Sequence, residues 1–368
     1  MKPLYALLAL LIACPAGGDD DDSAAAPEGP DPLAWDVTDF GPYNVGYRTW
    51  THTYTPPGDI GERTIEVHLW YPTEDTSGEG FRYLGVFLEE DAWVGATPAP
   101  PVHADGYPVH LYTHGHQGFA GSSAFLARRL ASHGWVTIAP DHTDNTFIDN
   151  DSPRATSLFY TRSTDLSESL DQLDSVGVTH LAGTPDTSKV LLSGHSFGSH
   201  STWASGGATF DMEVIEDQCA TGQVESGTCT PAEIEVFRGG LTDERVVAMI
   251  PMAGTPRESW FGPAGHLDVV HPILNMSGTD DDVGAQGMFD KSAGLDFTWI
   301  DVQGGCHQLF GLGACDNIPT DEGFSIVGTY ALAFGRAHVL GDTGEATLGI
   351  LDHTVEVSDR VAFQRHLP

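Results

Sequence analysis

The sequence predicts an α/β fold, in which a mostly parallel central sheet has helices on both faces and a cap-like insertion. Short apolar runs typical of buried parallel strands occur at 108–113, 190–192 and 246–252. Stretches with a helical pattern lie between them, at 122–133 and 161–176. This alternation is typical of a parallel sheet covered by helices. At 368 residues with 40% hydrophobic side chains, the chain can form one large domain or two small ones.

Residues 1–14 have the pattern of a targeting segment rather than of folded structure. Lys2 supplies a short positive region, and the apolar run 4–13 is too short to span a bilayer. The run ends in Leu-Ile-Ala followed by Cys14, which resembles the lipobox of bacterial lipoproteins, whose cysteine is lipidated. An ordinary secretory signal with a chance cysteine is the alternative. Both interpretations predict export, to the cell envelope through a lipid anchor or to the medium.

Residues 15–36 combine an acidic run at 19–22 with alanine, glycine and proline. Such a composition buries too little apolar surface to fold, so we expect a disordered linker. A calcium site in the acidic run is the less favoured alternative. We expect the folded domain to cover residues 37–368.

Further elements are predicted along the domain. The alternating stretch 63–71 is typical of a half-exposed strand near a sheet edge. Residues 135–139 follow the first helix as another strand. The later predictions are strands at 271–276 and 295–302 and helices at 285–293 and 324–340. We assign no element after residue 341.

The stretch 206–241 interrupts the strand–helix alternation and is expected to be an insertion where a cap over the site would lie. It contains two of the five cysteines. If Cys14 is lipidated, the four that remain can pair in three ways in an oxidising compartment. We favour Cys219–Cys229 and Cys306–Cys315, because both pairs close short loops.

The formal net charge is −36, from 16 basic and 52 acidic side chains. A surface of this sign repels phosphate backbones and anionic lipid headgroups. We therefore exclude nucleic acid as a partner. Separately, we expect the domain to be a monomer.

A G-x-S-x-G motif follows the apolar run 190–192 directly, as Gly194-His195-Ser196-Phe197-Gly198. In a strand-to-helix turn this motif holds a serine with its hydroxyl exposed. A helical stretch from residue 199 provides the context that the motif requires. Ser196 is therefore the candidate nucleophile.

A serine hydroxyl needs a general base, an acid that orients the base, and donors for an oxyanion. His307 is the candidate base, because it lies in a Gly-Gly-Cys loop after the last predicted strand. The candidate acid is one of three consecutive residues after the strand 271–276, Asp280, Asp281 and Asp282, of which we favour Asp281.

Two backbone N–H groups are expected to form the oxyanion hole. One belongs to Phe197, the residue after the nucleophile, and the other to His116 in the loop 114–118 after an earlier strand. A rival hypothesis makes His114, His116 and His142 metal ligands, but the remaining ligand spacing is missing. We therefore predict no metal and no cofactor.

Together, the loop H-G-H-Q-G (114–118), the elbow G-H-S-F-G (194–198), the strand-end aspartates and the late G-x-x-H (304–307) resemble the α/β-hydrolase superfamily. Within it, the chain is most similar to the platelet-activating-factor acetylhydrolase and dienelactone-hydrolase-like branch. The resemblance covers about residues 63–340. The chain departs from the branch at Ser199, where glycine is common, and in the insertion 206–241.

The resemblance implies an α/β-hydrolase fold and a serine esterase that forms an acyl-enzyme on short-chain or lipid-like esters. Secreted polyester hydrolases share the same core. Alternatives are a peptidase on the same fold and a non-catalytic surface binding protein. Amide turnover distinguishes the first alternative, and loss of the triad would favour the second.

Overall fold

The apolar runs form the centre of a ten-stranded sheet. A computed structural model describes residues 31–150, 152–256 and 258–368, of which Pro32–Pro368 form one compact unit. The described strands are β1 (Asn44–Tyr54), β2 (Arg63–Thr73), β3 (Phe81–Tyr83), β4 (Phe87–Glu89), β5 (Trp93–Val94), β6 (Tyr107–Thr113), β7 (Val136–Asp141), β8 (Pro185–His195), β9 (Val246–Met252), β10 (Ile273–Gly278), β11 (Phe297–Val302) and β12 (Val361–His366). The described α-helices are α1 (Ala124–Ser132), α2 (Leu158–Ser175), α3 (Phe197–Ser205), α4 (Met212–Thr221), α5 (Pro231–Gly239), α6 (Glu258–Phe261), α7 (Ala285–Lys291), α8 (Thr320–His338) and α9 (Glu345–Leu351).

The strands of the large sheet follow the order β12-β11-β10-β9-β8-β6-β7-β2-β1-β5. Neighbours from β7 to β11 are parallel, whereas β2 and β12 pair antiparallel with β7 and β11. In the sheet, β7 lies on one side of β6, and β8, the next strand along the chain, lies on the other side. Strand order therefore reverses here, and ligand sites of open α/β sheets lie beyond the carboxyl ends of strands at such a point.

Helices cover both faces of the sheet, as predicted. Buried residues of α1 and α8 share one apolar cluster with alternate residues of the strands, including Leu191. Residues of α2, α3 and α7 form the opposite cluster with Val190 and Leu192. Successive side chains of a strand point to opposite faces, so the short run 190–192 contributes to both cores.

Several elements differ from the sequence predictions, among them the strands β2, β1 and β12 of the large sheet. The stretch predicted near a sheet edge is β2, which lies between β1 and β7 and is almost fully buried beyond Glu66. Its alternation ends there because both faces of its second half are covered. The flanking strand β1 and the terminal strand β12 were not predicted. Both mix polar with apolar residues and pair antiparallel at the sheet margins, so neither has the apolar run that marks the central strands.

The compact unit begins ahead of residue 37. Carbonyl groups of Pro32 and Trp35 accept hydrogen bonds from the buried Arg336 at 3.2 and 2.8 Å. The predicted signal peptide, its lipidation site Cys14 and most of the predicted linker lie outside the described residues. Within the part that is described, no helix has both the length and the apolar character needed to cross a membrane.

Removal of core volume from β8 is expected to destabilise the fold strongly. Leu191 is fully buried, so Leu191→Ala should reduce the free energy of unfolding by about 2–5 kcal/mol through lost burial and a residual cavity. Leu267 is 41% exposed, and Leu267→Ala is the matched control, with an expected change within about 0.5 kcal/mol. Urea unfolding measures both. Equal losses in the two variants would contradict this account of the core.

Candidate active site

Ser196 occupies a sharp turn between β8 and α3, with φ 55° and ψ −117°. A non-glycine residue at positive φ is strained, at a cost of about 1–3 kcal/mol. Both flanking glycines are sterically required. A Cβ on Gly194 would lie 2.4 Å from the carbonyl oxygen of Gly198, and one on Gly198 would lie 2.2 Å from that of Thr113. The motif therefore forms the tight strand-to-helix turn that it predicts.

Hydrogen bonds to β9 hold this turn. The N–H of Ser196 donates to the carbonyl oxygen of Met252 at 2.9 Å. The hydroxyl of Ser199 lies 3.0 Å from the same oxygen and 3.1 Å from the carbonyl oxygen of Gly194. The serine at position 199, where glycine is common in the resembling branch, thus ties the turn to two strands. Its role was not apparent from the sequence.

The side chains of Ser196, His307 and Asp281 form a continuous hydrogen-bonded series. His307 Nε2 lies 2.8 Å from Ser196 Oγ, and His307 Nδ1 lies 2.7 Å from Asp281 Oδ2. A carboxylate only accepts hydrogen bonds, so Nδ1 carries the proton and Nε2 is free to accept the serine proton. The three residues follow β8, β10 and β11, whose carboxyl ends lie at one edge of the sheet.

The structure distinguishes the three consecutive aspartates. Asp281 is half-buried and reaches His307, whereas Asp280 and Asp282 are exposed. Asp280 instead accepts a hydrogen bond from the amide of Asn317 at 2.6 Å. Of the three, Asp281 is thus the one in contact with the imidazole.

The loop that carries His307 is held from two sides. Cys306 forms a disulfide with Cys315, at a Cα–Cα distance of 5.5 Å. His195 lies beside the loop, and its Nε2 donates to the carbonyl oxygen of His307 at 2.9 Å. Burial, with a smaller contribution from His307, lowers the pKa of His195 to about 4. A neutral His195 therefore positions the backbone of His307.

The loop 114–118 lies against Ser196. A Cβ on Gly115 would come within 3.0 Å of Ser196 Cβ, so this glycine permits close approach of the loop. Gln117 has φ 57°, and the N–H of Gly118 donates to the carbonyl oxygen of Gly115 at 3.0 Å, which closes a tight turn around His116. Phe197 is the first residue of α3, where an N–H has no acceptor within the helix.

The histidines of the rival metal hypothesis are engaged in protein hydrogen bonds. His114 Nε2 accepts the N–H of His142 at 3.0 Å, and its Nδ1 donates to the carbonyl oxygen of Gly115 at 2.7 Å. Both ring nitrogens of His142 are engaged, with Thr113 Oγ1 at 2.8 Å and Asp165 Oδ2 at 2.7 Å. Burial and neighbouring positive charge lower the pKa of both imidazoles, that of His142 to about 3. These contacts give His114 and His142 a structural role.

One other cluster has metal-ligand chemistry among the described residues. Ligand atoms of Glu66, His68 and Asp141 lie within 4.8 Å of one another. His68 Nδ1 lies 2.6 Å from the Tyr47 hydroxyl, and its Nε2 lies 3.3 Å from Asp141 Oδ2. Burial lowers the pKa of His68, but Asp141 outweighs this effect and raises it. Asp141 therefore favours the charged form of His68.

The predicted insertion contains α4 and α5. The disulfide Cys219–Cys229 joins α4 to the segment just before α5, at a Cα–Cα distance of 5.3 Å. An apolar cluster connects these helices to the site. It comprises Leu158, Phe159, Tyr160, Phe197, Ile215, Val224, Phe237 and Trp260. Arg154 also donates a hydrogen bond to Glu225, which lies in the segment between α4 and α5. The guanidinium carbon of Arg154 lies 4.5 Å from the ring centre of Phe197. The insertion thus packs beside Phe197, the residue that follows Ser196.

Comparisons with known proteins agree with this architecture. The chain is similar to the ferulic acid esterase from Streptomyces cinnamoneus, with a TM-score of 0.62 and 20% identity over 90% of this chain and 99% of that structure. The fold is therefore an α/β-hydrolase fold. Platelet-activating factor acetylhydrolase of Cavia porcellus is 25% identical in an alignment 239 residues long, and the match covers 48% of this chain. The chain spans about half of that relative, 52% of its length. No model of a protein family matches the chain.

The buried neutral histidines predict acid sensitivity of the fold. The pKa of His195 is about 4 in the fold against about 6.5 in an unfolded chain, so the unfolded state binds more protons between these values. The free energy of unfolding should therefore fall as pH is lowered, by about 2.5 kcal/mol from this residue between about pH 7.5 and about pH 4.5.

Urea unfolding of the full chain across this pH range measures the effect. The variant His195→Gln cannot take up the proton, so its unfolding free energy should depend less steeply on pH. An identical slope in the variant and the parent chain would contradict the assignment of a neutral, buried His195.

Proposed function

We propose that this chain is a carboxylic-ester hydrolase that uses Ser196 as nucleophile, His307 as general base and acid, and Asp281 as the orienting acid. The observation that carries the proposal is the hydrogen-bonded series of these side chains beside a strained strand-to-helix turn. Its residue order, serine, aspartate, histidine, is that of α/β-hydrolases. The esterase and acetylhydrolase names of the similar proteins support the same chemistry.

The mechanism follows from the protonation states. Ser196 Oγ attacks the ester carbonyl carbon while His307 Nε2 accepts its proton. The C–O bond then breaks, and the imidazolium returns the proton to the departing alkoxide. Asp281 stabilises the imidazolium through its hydrogen bond from Nδ1. Water repeats these steps on the acyl-enzyme and releases the acid.

The negative oxygen of each tetrahedral intermediate would be held by the N–H groups of His116 and Phe197. The close packing of Gly115 on Ser196 Cβ supports this arrangement, since it brings the loop 114–118 to the nucleophile. The positive end of α3 favours the same charge. Donors fixed before the reaction stabilise such an intermediate without reorganisation.

We further propose an exported protein with short-acyl or lipid-like ester substrates. Two disulfides are typical of an oxidising compartment. Residues 1–14 would act as a lipoprotein signal with Cys14 as the anchor, and residues 15–31 as a tether, since residues 32–36 belong to the compact unit. The acetylhydrolase among the similar proteins supports the short acyl group.

Substitution of each triad residue is expected to abolish turnover of p-nitrophenyl acetate. Ser196→Ala and His307→Ala should reduce kcat by about 10⁴-fold or more. Asp281→Asn should reduce it by about 10⁴-fold, because an amide at this position favours the wrong tautomer of the imidazole. Asp282→Asn is the matched control, since this neighbouring carboxylate is exposed. Its kcat/KM should remain that of the parent chain. An Asp282 variant as inactive as Asp281→Asn would contradict the assignment, as would an active Ser196→Ala.

The two disulfides are expected to affect different kinetic properties, because we propose that the insertion forms one wall of the acyl site. Cys219→Ser/Cys229→Ser loosens the insertion, so it should change the ratio of kcat/KM for p-nitrophenyl hexanoate and acetate. Cys306→Ser/Cys315→Ser loosens the loop of His307, so it should lower kcat for both esters alike.

Each pair closes a loop of similar length, with sequence separations of 10 and 9 residues. Both double variants should therefore lose about 2–3 kcal/mol of stability, which makes each a control for the other. If both variants had the same ratio of kcat/KM for p-nitrophenyl hexanoate and acetate, the proposed role of the insertion would be overturned.

A further inference from the structure

A buried arginine connects the two sides of the proposed oxyanion hole. We propose that Arg162 of α2 is a positioning residue for ester hydrolysis, which sets the backbone N–H groups of His116 and Phe197 at the spacing that an oxyanion requires. The inference rests on the proposed function and assigns a role to a residue that does not contact the substrate.

The guanidinium of Arg162 is completely buried and donates in three directions. Its Nη2 donates to the carbonyl oxygen of His114 and, at 3.0 Å, to Thr113 Oγ1. Its Nη1 donates to Asn145 Oδ1 at 2.7 Å, and its Nε donates to Ser201 Oγ at 3.3 Å. One side chain thus holds the end of β6, the loop after β7 and the helix α3.

These contacts continue to the first proposed donor. The amide Nδ2 of Asn145 donates to His116 Nδ1 at 2.6 Å. The carbonyl oxygen of Asn145 accepts the N–H of Gln117 at 3.1 Å. Arg162 therefore fixes the loop 114–118 at its beginning, through the carbonyl of His114, and at its centre, through Asn145.

The second proposed donor is held by the same group. The guanidinium carbon of Arg162 lies 4.8 Å from the ring centre of Phe197, within the range of a cation–π contact. Its contact with Ser201 lies one helical turn further along α3. A planar guanidinium can satisfy this set of directions, whereas the single ammonium of lysine cannot.

The charge of Arg162 adds an electrostatic argument. Its four hydrogen-bond acceptors are neutral, and the neighbouring carboxylate Asp165 is bound by Arg63 at 2.8 Å and by His142 at 2.7 Å. Burial lowers the pKa of Arg162 to about 9, so it remains a cation at neutral pH. A buried positive charge beneath the loop favours negative charge on the reacting oxygen, because screening is weak there.

Arg162→Lys tests the proposal, with kcat, KM and the affinity for a trifluoromethyl ketone as readouts. This ketone adds to a nucleophilic serine and carries a negative oxygen in the oxyanion hole. We expect kcat and ketone affinity to fall together by about 10²–10³-fold, the effect of one lost donor, with KM little changed. Arg336→Lys is the matched control, because this buried arginine also donates to backbone carbonyls but lies away from the site. It should lose stability without loss of ketone affinity.

A folded Arg162→Lys with the kcat and ketone affinity of the parent chain would overturn the proposal. If the lysine variant does not fold, Asn145→Ala decides. It leaves the contacts of Arg162 with Thr113, His114 and Ser201 in place but removes the side chain that links Arg162 to His116, so kcat should still fall. Unchanged kcat in Asn145→Ala would overturn the proposal. A parent chain that neither hydrolyses esters nor binds the ketone would instead refute the proposed function itself.

Discussion

The strained backbone of Ser196 is the constraint on which the site depends. A residue at φ 55° between a buried strand and a helix requires glycine on both sides, and it requires neighbours that hold it in place. Carbonyl groups of β8 and β9 supply that support through the N–H of Ser196 and the hydroxyl of Ser199. The hydroxyl of Ser196 consequently lies at the edge of the sheet where other strands end.

The parallel sheet determines which residues meet there. Asp281 and His307 are far from Ser196 along the chain, but each follows a strand whose carboxyl end lies at the same edge. The disulfide at Cys306 and the contact from His195 then hold the imidazole-bearing loop, while a network around Arg162 holds the loop on the opposite side. Packing of the core is thereby connected to the placement of Ser196, Asp281 and His307.

The sequence predicted the parts of this arrangement that have local signals. An apolar strand next to G-x-S-x-G identified the turn of Ser196, and position after a strand identified His307. The strands β1 and β12 could not be predicted from the sequence, because they form by pairing with β2 and β11 and contain no apolar run. Arg162 and Asn145 were missed for a related reason. Their roles depend on contacts between α2 and loops distant in sequence, and a single arginine or asparagine carries no motif.

Covalent labelling of the full chain with a fluorophosphonate, followed by mass spectrometry of its peptides, tests the central claim most directly. The reagent reacts with a serine only where a base activates the hydroxyl and donors hold the phosphonyl oxygen. The account predicts one adduct per chain, on the peptide that contains Ser196. An adduct on another serine, or no adduct on a folded chain, would contradict it.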